Sequence, residues 1–125
     1  MLSLVNPELE PPFALTIARN GSHTLVSLRG ELDISAEGEL AAGLGLVLAP
    51  PTQVLTVDLR ELSFLDSTGL RALVQLRTRC EAHGCRLLLI PGGPTVRRAF
   101  DVSGLTAHFT IVDPSEISSA LQPAR

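Results

Sequence analysis

The sequence contains no lysine, no tryptophan and no tyrosine, and only four phenylalanines, one methionine and two cysteines. All ten basic residues are arginines, scattered apart from the pair Arg97 and Arg98, and the net charge is −3. A nucleic-acid-binding face needs a basic stripe, commonly interleaved with aromatic side chains for stacking. Both parts are missing, so no direct nucleic-acid partner is expected. The longest nearly apolar stretch, Leu40 to Ala49, is about half of the ~20 residues a membrane span requires. The N-terminus has neither the basic start nor the apolar run of a secretory signal. The chain is therefore expected in the cytoplasm, without a membrane partner. Cys80 and Cys85 have no second CxxC and no histidine-rich cluster beside them, so no metal site is read from them. Two buried thiols in a reducing compartment are expected, able to pair only where the fold brings them together. No cofactor is implied, and the glycine-rich phosphate loop of the Walker type is absent.

What is present is the material of one core. The 125 residues are 45% hydrophobic, which suits a single domain that needs neither metal nor disulfide to fold. Residues 1–12 hold Pro7, Pro11 and Pro12 with two glutamates and read as a flexible tail; residues 13–125 read as the domain. Phe13 to Arg19 and Thr24 to Gly30 alternate as strands around the turn signal Asn20-Gly21, predicting an antiparallel hairpin. Ser35 is expected to cap a helix favoured by Glu37 and Glu39 at its start, with Leu40, Leu44, Val47 and Leu48 on one face. Gly38, Gly43 and Gly45 are poor helix formers, and their use is expected to be close packing. Gln53 to Leu59 is apolar enough for a central strand buried on both faces. Glu61 to Asp66 reads as a short connection, and Ser67 to His83 as the clearest helix, stopped by Gly84. Arg86 to Ile90 is another strand. Pro94 opens a helix that ends before Gly104, His108 to Val112 a last strand, and Pro114 a terminal helix to about Leu121. The order predicts an α/β fold: a mixed central sheet starting with a hairpin, covered by about four helices, with parallel right-handed units after Gln53.

Chemistry concentrates in Phe64-Leu-Asp-Ser-Thr-Gly-Leu70, where a buried strand gives way to a helix. Functional groups of open α/β sheets gather at such carboxyl ends. Ser67 is expected at or beside the helix cap with its hydroxyl toward solvent. Local chemistry alone accounts for Asp66-Ser67-Thr68 as an ordinary cap. Gly69 does not fit a plain cap, since glycine in a first turn has an entropic cost; it is expected to leave the surface bare for another backbone. Asp101-Val-Ser-Gly-Leu105 repeats the pattern superficially, but Ser103 stands near a helix end and Gly104 reads as a C-cap.

Four stretches together resemble the STAS-domain anti-sigma factor antagonists. They are Leu28-Arg-Gly-Glu-Leu-Asp33, the run Val57 to Leu70 with its Asp-Ser-Thr-Gly core, Val96 to Leu105, and Ile111-Val-Asp113, covering about Phe13 to Leu121. The resemblance implies a STAS-like fold and a partner-switching cycle. Ser67 would be the phosphorylated residue. The unphosphorylated form would bind an anti-sigma factor that is also a serine kinase, releasing a sigma factor. A separate serine phosphatase would restore the form silenced by phosphate. By the same resemblance Asp33, Asp66, Ser67, Thr68 and Gly69 would shape the partner surface. Asp33, Asp58 or Asp66 is expected to make that area negative. The alternative on the same fold is a stand-alone STAS scaffold or transport-complex subunit without a phosphoswitch. An enzyme is not expected: the Gly-x-Ser-x-Gly elbow is missing, and nothing in the sequence places His23, His83 or His108 beside Ser67.

Overall fold

A computed structural model describes residues 12–48 and 52–115. The expected tail, apart from Pro12, and most of the expected terminal helix lie outside the described residues. Among the described residues, five strands form one sheet in the order β1-β2-β3-β4-β5, following the chain. β1 (Phe13–Asn20) and β2 (His23–Leu32) make the antiparallel hairpin. Its turn uses Gly21 at φ 62°, a left-handed angle that glycine adopts without a Cβ penalty. β3 (Val54–Leu65) lies parallel to β2 at the sheet's centre, and β4 (Arg86–Ile90) and β5 (Thr110–Ile111) follow in parallel. The α-helices that lie within the described residues are α1 (Glu37–Leu48), α2 (Ser67–Ala82) and α3 (Pro94–Ser103).

Period-two alternation sends Val26 and Leu28 of β2, and Leu55, Val57 and Leu59 of β3, into one core. Leu40 and Leu44 of α1, Leu70, Leu73 and Leu76 of α2, and Val96 and Phe100 of α3 close over it. Gly43 confirms the close-packing reading for one glycine: a Cβ there would stand 2.5 Å from Leu15 Cδ1, so α1 lies tight on β1. Gly38 and Gly45 meet nothing within 4 Å, and the structure gives no packing reason for either.

Three expectations are corrected. β3 does not stop at Leu59; it continues through the presumed connection to Leu65, because β2 also extends and pairs Glu31 with Phe64 and Leu32 with Leu65. Two register shifts, between Ser27 and Arg29 and between Gly30 and Glu31, interrupt the regular ladder on the way. Ser35 is not the cap before α1. It sits inside a 3₁₀ turn, Ile34–Ala36, and Asp33 caps that turn. β5 is shorter than His108 to Val112, because residues 106–108 turn as a 3₁₀ helix after α3.

α2 ends in a glycine cap. Gly84 has φ 68°, and the Cys85 N–H reaches back to the Cys80 carbonyl at 2.8 Å. That closure brings the two free thiols, both buried, into hydrogen-bond contact. Burial, with Cys85 alongside, pushes the Cys80 thiol up to about 12.

Candidate functional site

The site forms where β2 and β3 run out side by side. Leu32 and Leu65 are paired across the ladder and both are buried. The Asp66 N–H donates to the Leu32 carbonyl at 3.3 Å, so the two strand ends remain joined beyond the last pair. Asp33 and Asp66 therefore occupy equivalent places on adjacent strands, one residue past each leucine.

Asp66 is the N-cap of α2. Its Oδ1 accepts from the Thr68 N–H at 3.0 Å and the Gly69 N–H at 3.1 Å, and its carbonyl accepts from the Leu70 N–H at 3.0 Å. A carboxylate cap satisfies donors that a helix start otherwise leaves open and sits favourably against the helix dipole. Ser67 is thus the first helical residue, exposed, with no hydrogen bond to its hydroxyl among the described residues. The capping work falls to its neighbour, which leaves the Ser67 oxygen available for chemistry. Thr68 is half-buried and Gly69 buried.

The bare surface expected at Gly69 is corrected. A Cβ there would stand 2.8 Å from the Leu32 carbonyl oxygen and Leu32 Cγ, and 2.6 Å from Leu65 Cδ1. The backbone that approaches is the chain's own β2. Glycine lets α2 start directly against the paired strand ends, and so fixes where Ser67 is displayed.

Asp33 is held differently. Its Oδ1 accepts from the Ser35 N–H at 2.9 Å and the Ser35 hydroxyl at 2.5 Å, and these bonds hold its carboxyl below the usual range. Asp58 is corrected outright as a source of negative charge at the site. Its carboxylate takes a bidentate grip from Arg60, at 2.8 Å to Nη2 and 3.0 Å to Nε, and the pair is locally neutral. It also stands seven residues back along β3 from Leu65, about 23 Å at roughly 3.3 Å per residue. The signal was available: residues 58 and 60 share a strand face.

No histidine approaches Ser67. His83 ends α2, roughly 24 Å away at 1.5 Å per residue, and its Nδ1 lies 2.8 Å from the Arg79 carbonyl oxygen. His23 begins β2 at the opposite end from Asp33, and His108 lines a separate cavity with Cys80 and Cys85. Around Asp101 the C-cap reading holds. Gly104 takes φ 75° in the left-handed region, and the Ser103 hydroxyl donates to the Phe100 carbonyl at 3.0 Å.

Sequence reasoning missed the wall opposite Ser67. A cavity of about 370 Å³ opens between α2 and α3, lined by Leu65, Asp66, Ser67 and Leu70 on one side and by Arg98 and Val102 on the other. Val102 is 78% exposed, high for a large apolar side chain, and Phe64 beside the motif is also exposed. Only the docking of α3 against β3 brings these residues together, so no local spacing announces them.

The STAS domain family model matches residues 14–120. This chain is a STAS-domain protein. The anti-sigma-F factor antagonist RsfB of Mycobacterium tuberculosis is 26% identical over 97 residues, covering 78% of this chain and 79% of that one. The anti-sigma F factor antagonist of Lysinibacillus sphaericus is 32% identical over 82 residues, 65% of this STAS chain and 70% of its own. Among solved structures, the anti-sigma factor antagonist SpoIIAA in its unphosphorylated form superposes with a TM-score of 0.70 at 25% identity, covering 86% of this chain and 95% of SpoIIAA. The mixed sheet opening on a hairpin is the fold that this STAS domain shares with it. No helix among the described residues is long and apolar enough to cross a membrane.

Proposed function

We propose that this STAS domain is an anti-sigma factor antagonist switched off by phosphate on Ser67. The observation that carries the reading is a serine hydroxyl displayed on the first residue of α2 while Asp66 does the capping. The relatives named above, each an anti-sigma factor antagonist, support the same function. In this reading the unphosphorylated chain is a cytoplasmic regulator, not an enzyme. It binds an anti-sigma factor that is also a serine kinase, and a sigma factor is released. The kinase silences it, and a serine phosphatase reverses the modification. Asp33, Asp66, Ser67 and Thr68 form the contact surface, and Gly69 shapes it from beneath.

The physics of silencing is electrostatic. Phosphate adds about −1.5 to −2 charges near neutral pH. Ser67 is exposed, so the fold accommodates that charge in water. A docked partner would have to desolvate it next to the carboxylates of Asp66 and Asp33. Driving a complex from mostly bound to mostly free takes about 5 kcal/mol, and a buried dianion beside carboxylates can supply it.

Incubation with the cognate kinase and ATP should add one phosphate, mapped to Ser67 by mass spectrometry. Ser67→Ala should keep partner affinity and resist inactivation; Ser67→Asp should lose affinity while unfolding cooperatively at an unchanged denaturant midpoint. Equal affinities for the wild type and Ser67→Asp would refute an electrostatic switch at this serine.

A further inference from the structure

We propose that a phosphate on Ser67 is clamped from within the chain by two arginines, Arg71 and Arg98, and that this clamp shuts the groove between α2 and α3. The inference rests on the phosphoserine reading above and concerns what the modified residue does next.

A phosphate arriving at Ser67 finds most of the helix start already occupied. The N–H groups of Thr68 and Gly69 both donate to Asp66 Oδ1, and the Leu70 N–H donates to the Asp66 carbonyl. Helix N-termini hold phosphates through such donors, and here the cap has taken those of Thr68 and Gly69. The nearest fixed charge is the Asp66 carboxylate, which repels. With two of the opening donors taken, compensation has to come largely from side chains. Two cations are placed for it. Arg71 lies four residues on, the spacing that puts side chains one above the other on a helix, and helical side chains lean toward the N-terminus. Arg98 lines the same cavity as Ser67 from the α3 side. Both are exposed, and neither forms an ion pair among the described residues, where the salt bridges belong to Arg60 and Arg77. A guanidinium matches two phosphate oxygens with two parallel N–H groups.

The two arginines differ in consequence. Arg71 pairs along its own helix and leaves the cavity open. Arg98 must swing across the cavity mouth, above the apolar floor formed by Leu65 and Leu70. Phosphorylation then alters the surface twice, by adding charge and by covering the apolar groove beside it. A partner seeking that groove meets an arginine–phosphate bridge where there was an opening.

The test uses the full chain with phosphoserine encoded at position 67 during translation, so no kinase is needed and failure of the kinase reading remains a separate result. A ³¹P titration reports the second ionisation of the phosphate, ordinarily near pH 6. The charged groups facing it are Asp66 and Asp33, which raise its midpoint, and Arg71 and Arg98, which lower it. The clamp predicts a midpoint shifted upward by about half a pH unit or more in Arg71→Gln/Arg98→Gln. Each single variant should give part of the shift, and Arg98→Lys should restore less than Arg98, since an ammonium lacks the fork. With the denaturant midpoint unchanged, a double variant that titrates with the wild-type midpoint would overturn the clamp. The groove claim has its own readout: amide resonances of Leu70 and Val102 should shift on phosphorylation in the wild type, and these shifts should shrink in Arg98→Gln. Equal shifts in both would overturn the closing role of Arg98.

Discussion

At the end of β2 the chain reads Leu32-Asp33-Ile34-Ser35; at the end of β3 it reads Leu65-Asp66-Ser67-Thr68. The leucines are paired neighbours in the core, and each aspartate turns its carboxylate onto the backbone that follows. The difference is where the hydroxyl stands. Two residues after Asp33, the Ser35 hydroxyl falls into the carboxylate's reach and is consumed by it. One residue after Asp66, the Ser67 hydroxyl points past the carboxylate into solvent. A single position of spacing separates a serine bound by its aspartate from one left exposed, the one to which the proposed function assigns the phosphate.

Removing the packing that makes the two ends neighbours should have the largest effect. Leu32→Ala should lower unfolding stability by about 2–5 kcal/mol, read from the denaturant midpoint, because the side chain is 1% exposed and sits between the strand ends. Gly69→Ala comes next. Its Cβ would strike the Leu32 carbonyl, an overpacking penalty of about 1–3 kcal/mol, partly offset by about 1 kcal/mol of helix propensity. A Gly69→Ala chain as stable as the wild type would mean the strand ends are not pinned. Asp66→Ala should cost about 1 kcal/mol as a lost cap, and Ser67→Ala should stay within about 0.5 kcal/mol.

The finest test separates the two serines by pH. The Ser35 bonds favour the ionised form of Asp33 and lower the pH at which it titrates, so they favour the folded state above the ordinary carboxylate range, and that contribution is lost as pH falls through the folded value. Carboxyl NMR should show Ser35→Ala raising the Asp33 midpoint and Ser67→Ala leaving it alone. At the other extreme of pH, the raised Cys80 thiol predicts the opposite sign. Stability should decline as pH climbs from about 9 toward about 12, and Cys80→Ala should flatten that decline.

Much of this was legible in order. The turn at Asn20-Gly21, the apolar run from Val54 and the Asp-Ser-Thr-Gly motif after it each carry their structure in local sequence, and each stands where the reading put it. What local sequence withheld was tertiary. Glu61, Ser63 and Phe64 are exposed, so the outer half of β3 lacked the apolar signature that marks its inner half; only pairing with β2 shows it to be strand. Gly69 looked like an invitation to a visitor, yet its reason lies in a carbonyl 37 positions earlier, at Leu32. Arg98 and Val102 joined the site only because α3 settles against β3.

The pinned junction at Gly69 bears on timing. The strand ends are bonded to one another and the Thr68 and Gly69 donors of the helix start are taken by the Asp66 carboxylate, so a phosphate on Ser67 would arrive at a junction built without it. Under the proposed switch, such a device would hold no conformational memory: its silent state would last as long as one phosphoester and end with its hydrolysis.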